Sequence, residues 1–211
     1  MTGKFLTFEG IDGSGKSTQI KLLELELQRR GISTLILRDP GGTKLSEKIR
    51  NILLDHKNMI LSPPAESLLF VAARAQLMVE KIQPALKQGK FVISDRFSDS
   101  TVAYQGYGRG LKVEYLEELN NFATDNIQPD LTIILDVDPE SAAMRMESDI
   151  LDRMEATGIE FFLKVRKGYH NIARRFSLRC VIIDGVQTEN EVSELIMKEV
   201  NNKLLKELPC S

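Results

Sequence analysis

Residues Gly10-Ile11-Asp12-Gly13-Ser14-Gly15-Lys16-Ser17 lie between an apolar run at 5–8 and a helically spaced set, Ile20, Leu23 and Leu27. Few arrangements constrain a fold as tightly. Glycines let the backbone turn sharply between a strand and a helix, so that successive N–H groups converge at the positive end of that helix. The string fits G-x-x-x-x-G-K-[S/T], a match expected by chance in about 1% of chains of this length. Its chemistry is anion binding: loop amides around phosphate oxygens, Lys16 reaching the β- and γ-phosphates, and the Ser17 hydroxyl on Mg²⁺. Gly10, Ile11, Asp12, Gly13, Ser14, Gly15, Lys16, Ser17 and Thr18 are therefore the expected ATP-binding residues. Asp12 is out of character there, because a triphosphate repels a carboxylate. It is expected to turn away, toward a neighbouring cation or a sugar hydroxyl.

A strand-loop-helix start implies more units of the same kind, and the chain supplies them. Short β-rich apolar runs recur at 34–37, 91–93, 131–135 and 180–183. Between them, Leu68, Leu69, Ala72, Ala73, Gln76, Val79, Ile82 and Leu86 trace a helix over most of 65–88, ended by Gly89. Val192, Ile196, Val200 and Leu204 trace another. Asp138-Pro139-Glu140 reads as a helix start after the fourth strand. Nearly all-apolar strands alternating with helices predict an α/β fold, a parallel sheet covered on both faces. Residues 106–110, three glycines around Tyr107 and Arg109, read as a flexible loop. With no repeat and no Gly/Ser linker, the 211 residues read as one domain, 1–211. A chain of this mass can bury about 70% of its unfolded surface, enough for a core without staples.

Charge and cysteine content narrow the setting. The 28 basic and 30 acidic residues leave a formal charge of −2, which argues against a nonspecific nucleic-acid binder. Any phosphate binding must come from local placement of cations. Cys180 and Cys210 are too few for a disulfide framework. No uncharged stretch approaches the length of a membrane-spanning helix, and 5–8 is far short of a signal-peptide core. The expectation is a cytoplasmic protein with no membrane partner.

A phosphate loop alone serves switches, motors and kinases. The N-K-x-D string by which guanine-nucleotide switches read their base does not occur. The apolar strand at 91–93 leads to Asp95, a candidate metal-facing acid, and Arg96 follows at once. An arginine there suits a second anion better than a water. Two unit charges 5 Å apart repel by about 3 kcal/mol at an effective dielectric of 20. A site for two phosphorylated substrates therefore needs a cation and several arginines, and little base help, since a phosphate oxygen is already nucleophilic. Arg38, Arg50, Arg74, Arg96, Arg145 and Arg153 all lie near predicted strand ends, loops or helix starts. As a set they favour phosphoryl transfer between two anions, with a nucleotide-dependent switch ATPase as the alternative.

The chain resembles bacterial thymidylate kinases over roughly residues 5–185. The resemblance rests on Phe8-Glu9-Gly10 through Lys16-Ser17-Thr18 and on Arg38-Asp39-Pro40-Gly41-Gly42-Thr43. It extends through Leu69-Phe70-Val71-Ala72-Ala73-Arg74-Ala75-Gln76 and the stretch from Asp95-Arg96-Phe97 to Tyr104-Gln105-Gly106. Pro129-Asp130-Leu131-Thr132 and Leu151-Asp152-Arg153-Met154-Glu155 complete it. It implies ATP, Mg²⁺ and dTMP as ligands, a P-loop NTPase fold with five parallel strands, and a homodimer. By that resemblance Asp39, Arg50 and Arg96 form the acceptor-phosphate group, Phe70 stacks on thymine and Arg74 hydrogen-bonds its O4. Thr101 and Gln105 line the base pocket, Tyr104 packs under the deoxyribose, and Asp12 is shared with the sugar 3′-OH or an acceptor-side cation. Lys16, Asp95, Arg96 and Arg153 are the expected catalytic residues, with Ser17 and Asp95 as metal ligands. Another nucleoside monophosphate kinase is the alternative within the class. Two features depart from the family pattern. Asp39 stands where glutamate is usual, and the loop lacks an arginine that some members carry. Members without it tend to have an arginine-rich lid, yet the lid segment here, about 141–157, holds only Arg145 and Arg153. Arg153 is the expected transition-state cation. The helix after Thr43 and the helix over 65–88 carry more apolar positions than one sheet face needs, which suits a helix-to-helix contact between two copies.

Overall fold

The computed structural model describes residues 3–55, 57, 61–146, 153–154 and 157–205. Five strands form one parallel sheet: β1 (Lys4–Glu9), β2 (Thr34–Arg38), β3 (Phe91–Asp95), β4 (Leu131–Asp136) and β5 (Cys180–Asp184), in the order β2-β3-β1-β4-β5. Each coincides with an apolar run, extended by one or two residues. The central strand, β1, feeds the glycine loop. Its neighbours register Phe8 against Asp95 and Glu9 against Ile134, so the ends of three strands meet beneath that loop.

Side-chain alternation gives the sheet two unlike faces. Leu6, Phe8, Phe91, Ile93, Leu131, Ile133 and Leu135 pack under α1 (Lys16–Arg29) and α9 (Glu189–Val200) through Leu23, Leu27, Val192 and Ile196. On the other face the strands carry Phe5, Thr7, Glu9, Val92, Ser94, Thr132 and Ile134, a mixed set. There Phe5 and Val92 meet Leu77, Met78 and Ile82, from α3 (Pro63–Leu77) and the wider π-helical turn Met78–Ile82 that runs on into α4 (Gln83–Lys87). The polar members find partners. Thr7 and Thr132 share a hydrogen bond of 2.9 Å, and Thr132 also donates at 3.3 Å to Asp99, which packs on this face and accepts two bonds from Arg179 at 2.6 and 2.8 Å.

Helices start where the sequence places caps. Thr43 caps α2 (Lys44–Leu54), Ser62 caps α3, and Asp138 caps α7 (Pro139–Met144) through the Ser141 N–H. Thr188 and Glu191 form a reciprocal capping box on α9. The expected loop at 106–110 is corrected. After α5 (Ser98–Thr101) the chain stays helical through a π turn, Val102–Gly108, before α6 (Val113–Thr124). Its glycines serve close packing instead of flexibility. A Cβ on Gly108 would stand 2.5 Å from the Phe161 ring of α8 (Ile159–Arg175), and one on Gly168 of α8 would stand 2.9 Å from Tyr107. Among the described residues no helix is long and apolar enough to cross a membrane.

Candidate active site

The glycine loop bends where a side chain has no room. Gly10 and Gly13 adopt φ of 133° and 77°, and a Cβ on Gly13 would meet the Ala142 carbonyl of α7 at 2.2 Å. Helix α1 begins at Gly15 with no side-chain cap, so its first N–H groups face the loop. Lys16 curls back over the loop, donating to the Gly10 carbonyl at 3.2 Å and that of Ile11 at 2.9 Å. Burial and the adjacent Arg96 push its ammonium down to about 8, against the pull of Asp12, Asp95 and Glu9.

Arg96 sits at the centre. Its φ of 68° lies in the left-handed region, which costs a residue with a Cβ about 1–2 kcal/mol. Two bonds hold it there: its N–H donates to Phe8 O at 2.9 Å, and Ser94 Oγ donates to its carbonyl at 2.7 Å. The guanidinium then reaches Asp12 at 2.7 Å, Gly10 O at 2.9 Å and the Tyr104 hydroxyl at 3.0 Å, stacked over the Tyr104 ring. Asp12 thus faces a cation. Although burial opposes it, Arg96 and then Lys16 hold the Asp12 carboxyl down at about 2.

Two cavities meet at this arginine. A cleft of about 910 Å³ runs from the loop across to Arg145, Gly185 and Thr188. A smaller cavity of about 80 Å³ is bounded by Phe70, Arg74, Thr101, Tyr104, Gln105 and Met154. Asp12, Asp39, Arg50 and Arg96 line both. Ser17, Thr18 and Asp95 line the larger one, and buried Asp95 Oδ1 has no hydrogen-bond partner among the described residues. Together, one acidic oxygen and one hydroxyl fit Mg²⁺ in a phosphate site, where one or two protein oxygens suffice and phosphate and water supply the rest.

Arg74 is 1% exposed on α3. It donates to Asp39 Oδ2 at 2.6 Å, Thr101 Oγ1 at 2.9 Å, Asn120 Oδ1 and the Phe97 carbonyl. A guanidinium has five N–H donors. These bonds leave one on Nη2, and Arg74 lines the small cavity. Asp39 Oδ1 is likewise buried without a partner, and burial raises the Asp39 carboxyl against the opposing pull of Arg74. The expected residues thus converge, with one exception. Arg153 does not reach the glycine loop: it bonds Glu66 at 2.7 Å and the Leu53 carbonyl at 2.6 Å. Buried Glu66 offers it a full carboxylate, whereas Arg145, anchored on Gly185 O at 2.9 Å, lines the large cleft. Of the expected lid, residues 147–152 and 155–156, including Asp152 and Glu155, lie outside the described residues, as does Cys210.

Sequence reasoning missed Glu9, Glu66 and Tyr169. Glu9 alone was legible as an acid at an inward position of an apolar strand. It accepts from the Phe97 N–H at 2.8 Å, the Tyr169 hydroxyl at 2.8 Å and Ser100 Oγ, and so ties the end of β1 to the segment that carries Arg96. Burial and the Asp99 carboxylate push its acid up from 4.5 to about 7, despite Ser100, Arg96 and Tyr169. The folded chain then holds a proton between about pH 4.5 and 7 that the unfolded chain has released. The stability linked to it is complete below that window and falls by at most about 3 kcal/mol as pH rises through it. Glu9→Gln removes the slope. In urea unfolding, the difference between variant and wild type is expected to move in the variant's favour by up to that amount from pH 4.5 to 8. Parallel profiles would contradict this.

Known proteins resemble the chain in both sequence and shape. The family described as "Thymidylate kinase" matches residues 8–196. The thymidylate kinase of Caldanaerobacter subterraneus subsp. tengcongensis is 48% identical over 204 residues, 97% of this chain and 98% of that one. That of Chlorobaculum tepidum is 47% identical, covering 93% and 96%. The crystal structure of the thymidylate kinase from Ehrlichia chaffeensis superimposes with a TM-score of 0.78 at 38% identity, over 95% of this chain and 99% of that one.

Proposed function

The chain belongs to the thymidylate kinase family, and from that premise we infer that it transfers the γ-phosphoryl group of ATP to dTMP, yielding ADP and dTDP. The observation that carries this reading is the pair of cavities sharing Arg96, Asp12, Asp39 and Arg50. One is built on a phosphate loop, and the other is lined by an aromatic ring and hydrogen-bonding side chains, Phe70, Arg74, Thr101, Tyr104 and Gln105, that suit a flat base and a sugar. In-line transfer needs an acceptor oxygen and a γ-phosphorus held a few ångströms apart, and a shared wall provides that.

In this reading the loop amides and Lys16 bind the triphosphate. Ser17 and Asp95 hold Mg²⁺, which supplies charge neutralisation when bound. Arg96 and Arg50 take the dTMP phosphate, and Asp39 orients the arginines. An oxygen of that phosphate, already ionised at neutral pH, forms the new P–O bond as the β,γ-bridging bond breaks and its electrons leave with ADP. No base is required, so positioning and cations do the catalytic work. Phe70 stacks on thymine, the remaining Arg74 N–H reaches O4, Thr101 and Gln105 complete the base pocket, and Tyr104 supports the sugar. Asp12, bonded to both Arg96 and Tyr104, stands where it can also accept from the 3′-OH. A cytoplasmic setting follows from the ATP and dTMP pools it draws on.

The first test is acceptor dependence. ADP should appear in proportion to added dTMP and far more slowly with AMP. ADP formation at an equal rate with no monophosphate present would mark a switch ATPase instead.

Placement divides the two lid arginines. Arg145 is proposed to serve the transferring phosphate and Arg153 the wall of the base pocket. Arg145→Ala should cut kcat by at least about tenfold, whereas Arg153→Ala should act mainly through the KM for dTMP. The reverse pattern would return the cation role to Arg153.

A homodimer is also proposed. Leu45 and Ile52 on α2, Leu68 on α3, and Tyr115 and Phe122 on α6 lie exposed on adjacent helices, a covered face in a dimer. Light scattering should give about twice the chain mass of 23.8 kDa. A monomer at micromolar concentration would contradict it.

A further inference from the structure

Gln105 is 1% exposed, yet its side chain has two ends with opposite hydrogen-bonding character. Nε2 donates to Glu66 Oε1 at 2.9 Å. An ionised carboxylate only accepts. Glu66 therefore fixes the amide nitrogen on its own side and leaves the amide oxygen on the other, where Gln105 lines the small cavity. Among the described residues no donor reaches that oxygen, so it stands as an acceptor in a cavity that Arg74 also lines.

We propose that Glu66 is a positioning residue for base selection: by holding the Gln105 amide in one orientation, it sets a donor-acceptor pair that matches the O4 and N3–H of thymine or uracil and opposes cytosine. Cytosine carries the inverse pattern, an N4 amino donor beside an N3 lone pair. It would set donor against donor at Arg74 and lone pair against lone pair at Gln105. Without Glu66 the amide can turn either way, and half of the code is lost. Glu66 is suited to the role because it is 1% exposed and held from three directions. Arg153 bonds Oε2 at 2.7 Å, and Arg109 approaches both oxygens at 3.4 and 3.5 Å. These contacts hold the carboxylate in place on the first turn of the same helix that carries Phe70 and Arg74.

The inference rests on the dTMP kinase reading, and the test separates the two. Affinities of the wild type and Glu66→Gln for dTMP, dUMP and dCMP are measured by calorimetry, after dTMP-dependent turnover by the wild type is established. Failure of that first step would sink the kinase reading itself. Given it, Glu66→Gln should weaken dTMP and dUMP together by about tenfold, since both carry N3–H, and leave dCMP within about twofold. The dTMP/dCMP ratio therefore falls about tenfold. In a Gln105→Met background the same substitution should leave the ratio unchanged. A purely structural role would weaken all three nucleotides alike, and an unchanged ratio in the Gln105-containing protein would overturn the proposal. If Glu66→Gln does not fold, Glu66→Gln/Arg153→Met removes both charges of the pair and carries the same readout.

Discussion

The site depends on one arginine held where arginine is uncomfortable. Arg96 occupies a left-handed backbone position at the end of the strand beside the phosphate loop, pinned by a main-chain bond to β1 and by Ser94. That geometry throws its guanidinium back across the loop, between Asp12, Gly10 O and Tyr104. An ordinary extended conformation would carry it along the strand direction and away from the loop. Local strain of about 1–2 kcal/mol is thus set against a contact that joins two cavities.

Supporting this arginine is the work of the polar sheet face. Glu9 gathers Phe97, Ser100 and Tyr169, and Ser100 and Tyr169 also touch the Arg96 guanidinium. Asp99, one residue before Ser100, is locked by Arg179 at the start of β5. Loop, strand ends, α5 and α8 therefore share one hydrogen-bonded network. The chain needs no strong net charge to bind two anions, because its cations are placed and not merely abundant.

Much of this was legible in the sequence, for physical reasons. Five apolar runs announced five strands, and the glycine string specified its own turn and helix, so the sheet and the phosphate loop followed from local chemistry. The position of Arg96 after an apolar strand pointed to a second anion. Other features depend on partners distant in sequence. Glu66 reads as an ordinary acid in the first turn of a helix, and only the fold brings it to Gln105 and Arg153. The glycines at 106 and 108 read as loop signals because nothing nearby reveals the α6 side chains or the Phe161 ring that they accommodate. Arg153 matched a family string by position, yet the buried Glu66 carboxylate of α3 captures it.

The most direct measurement is steady-state kinetics of Arg96→Lys, with dTMP and ATP varied separately. Lysine keeps the charge and the same backbone cost, but it cannot span Asp12, Gly10 O and Tyr104 at once. If Arg96 takes the dTMP phosphate where the two sites meet, kcat/KM for dTMP should fall by at least about 100-fold while the KM for ATP, which the loop amides and Lys16 set, changes by less than about threefold. A folded variant with kcat/KM for dTMP within about threefold of wild type would contradict the account, and the junction between the two substrates would have to lie elsewhere.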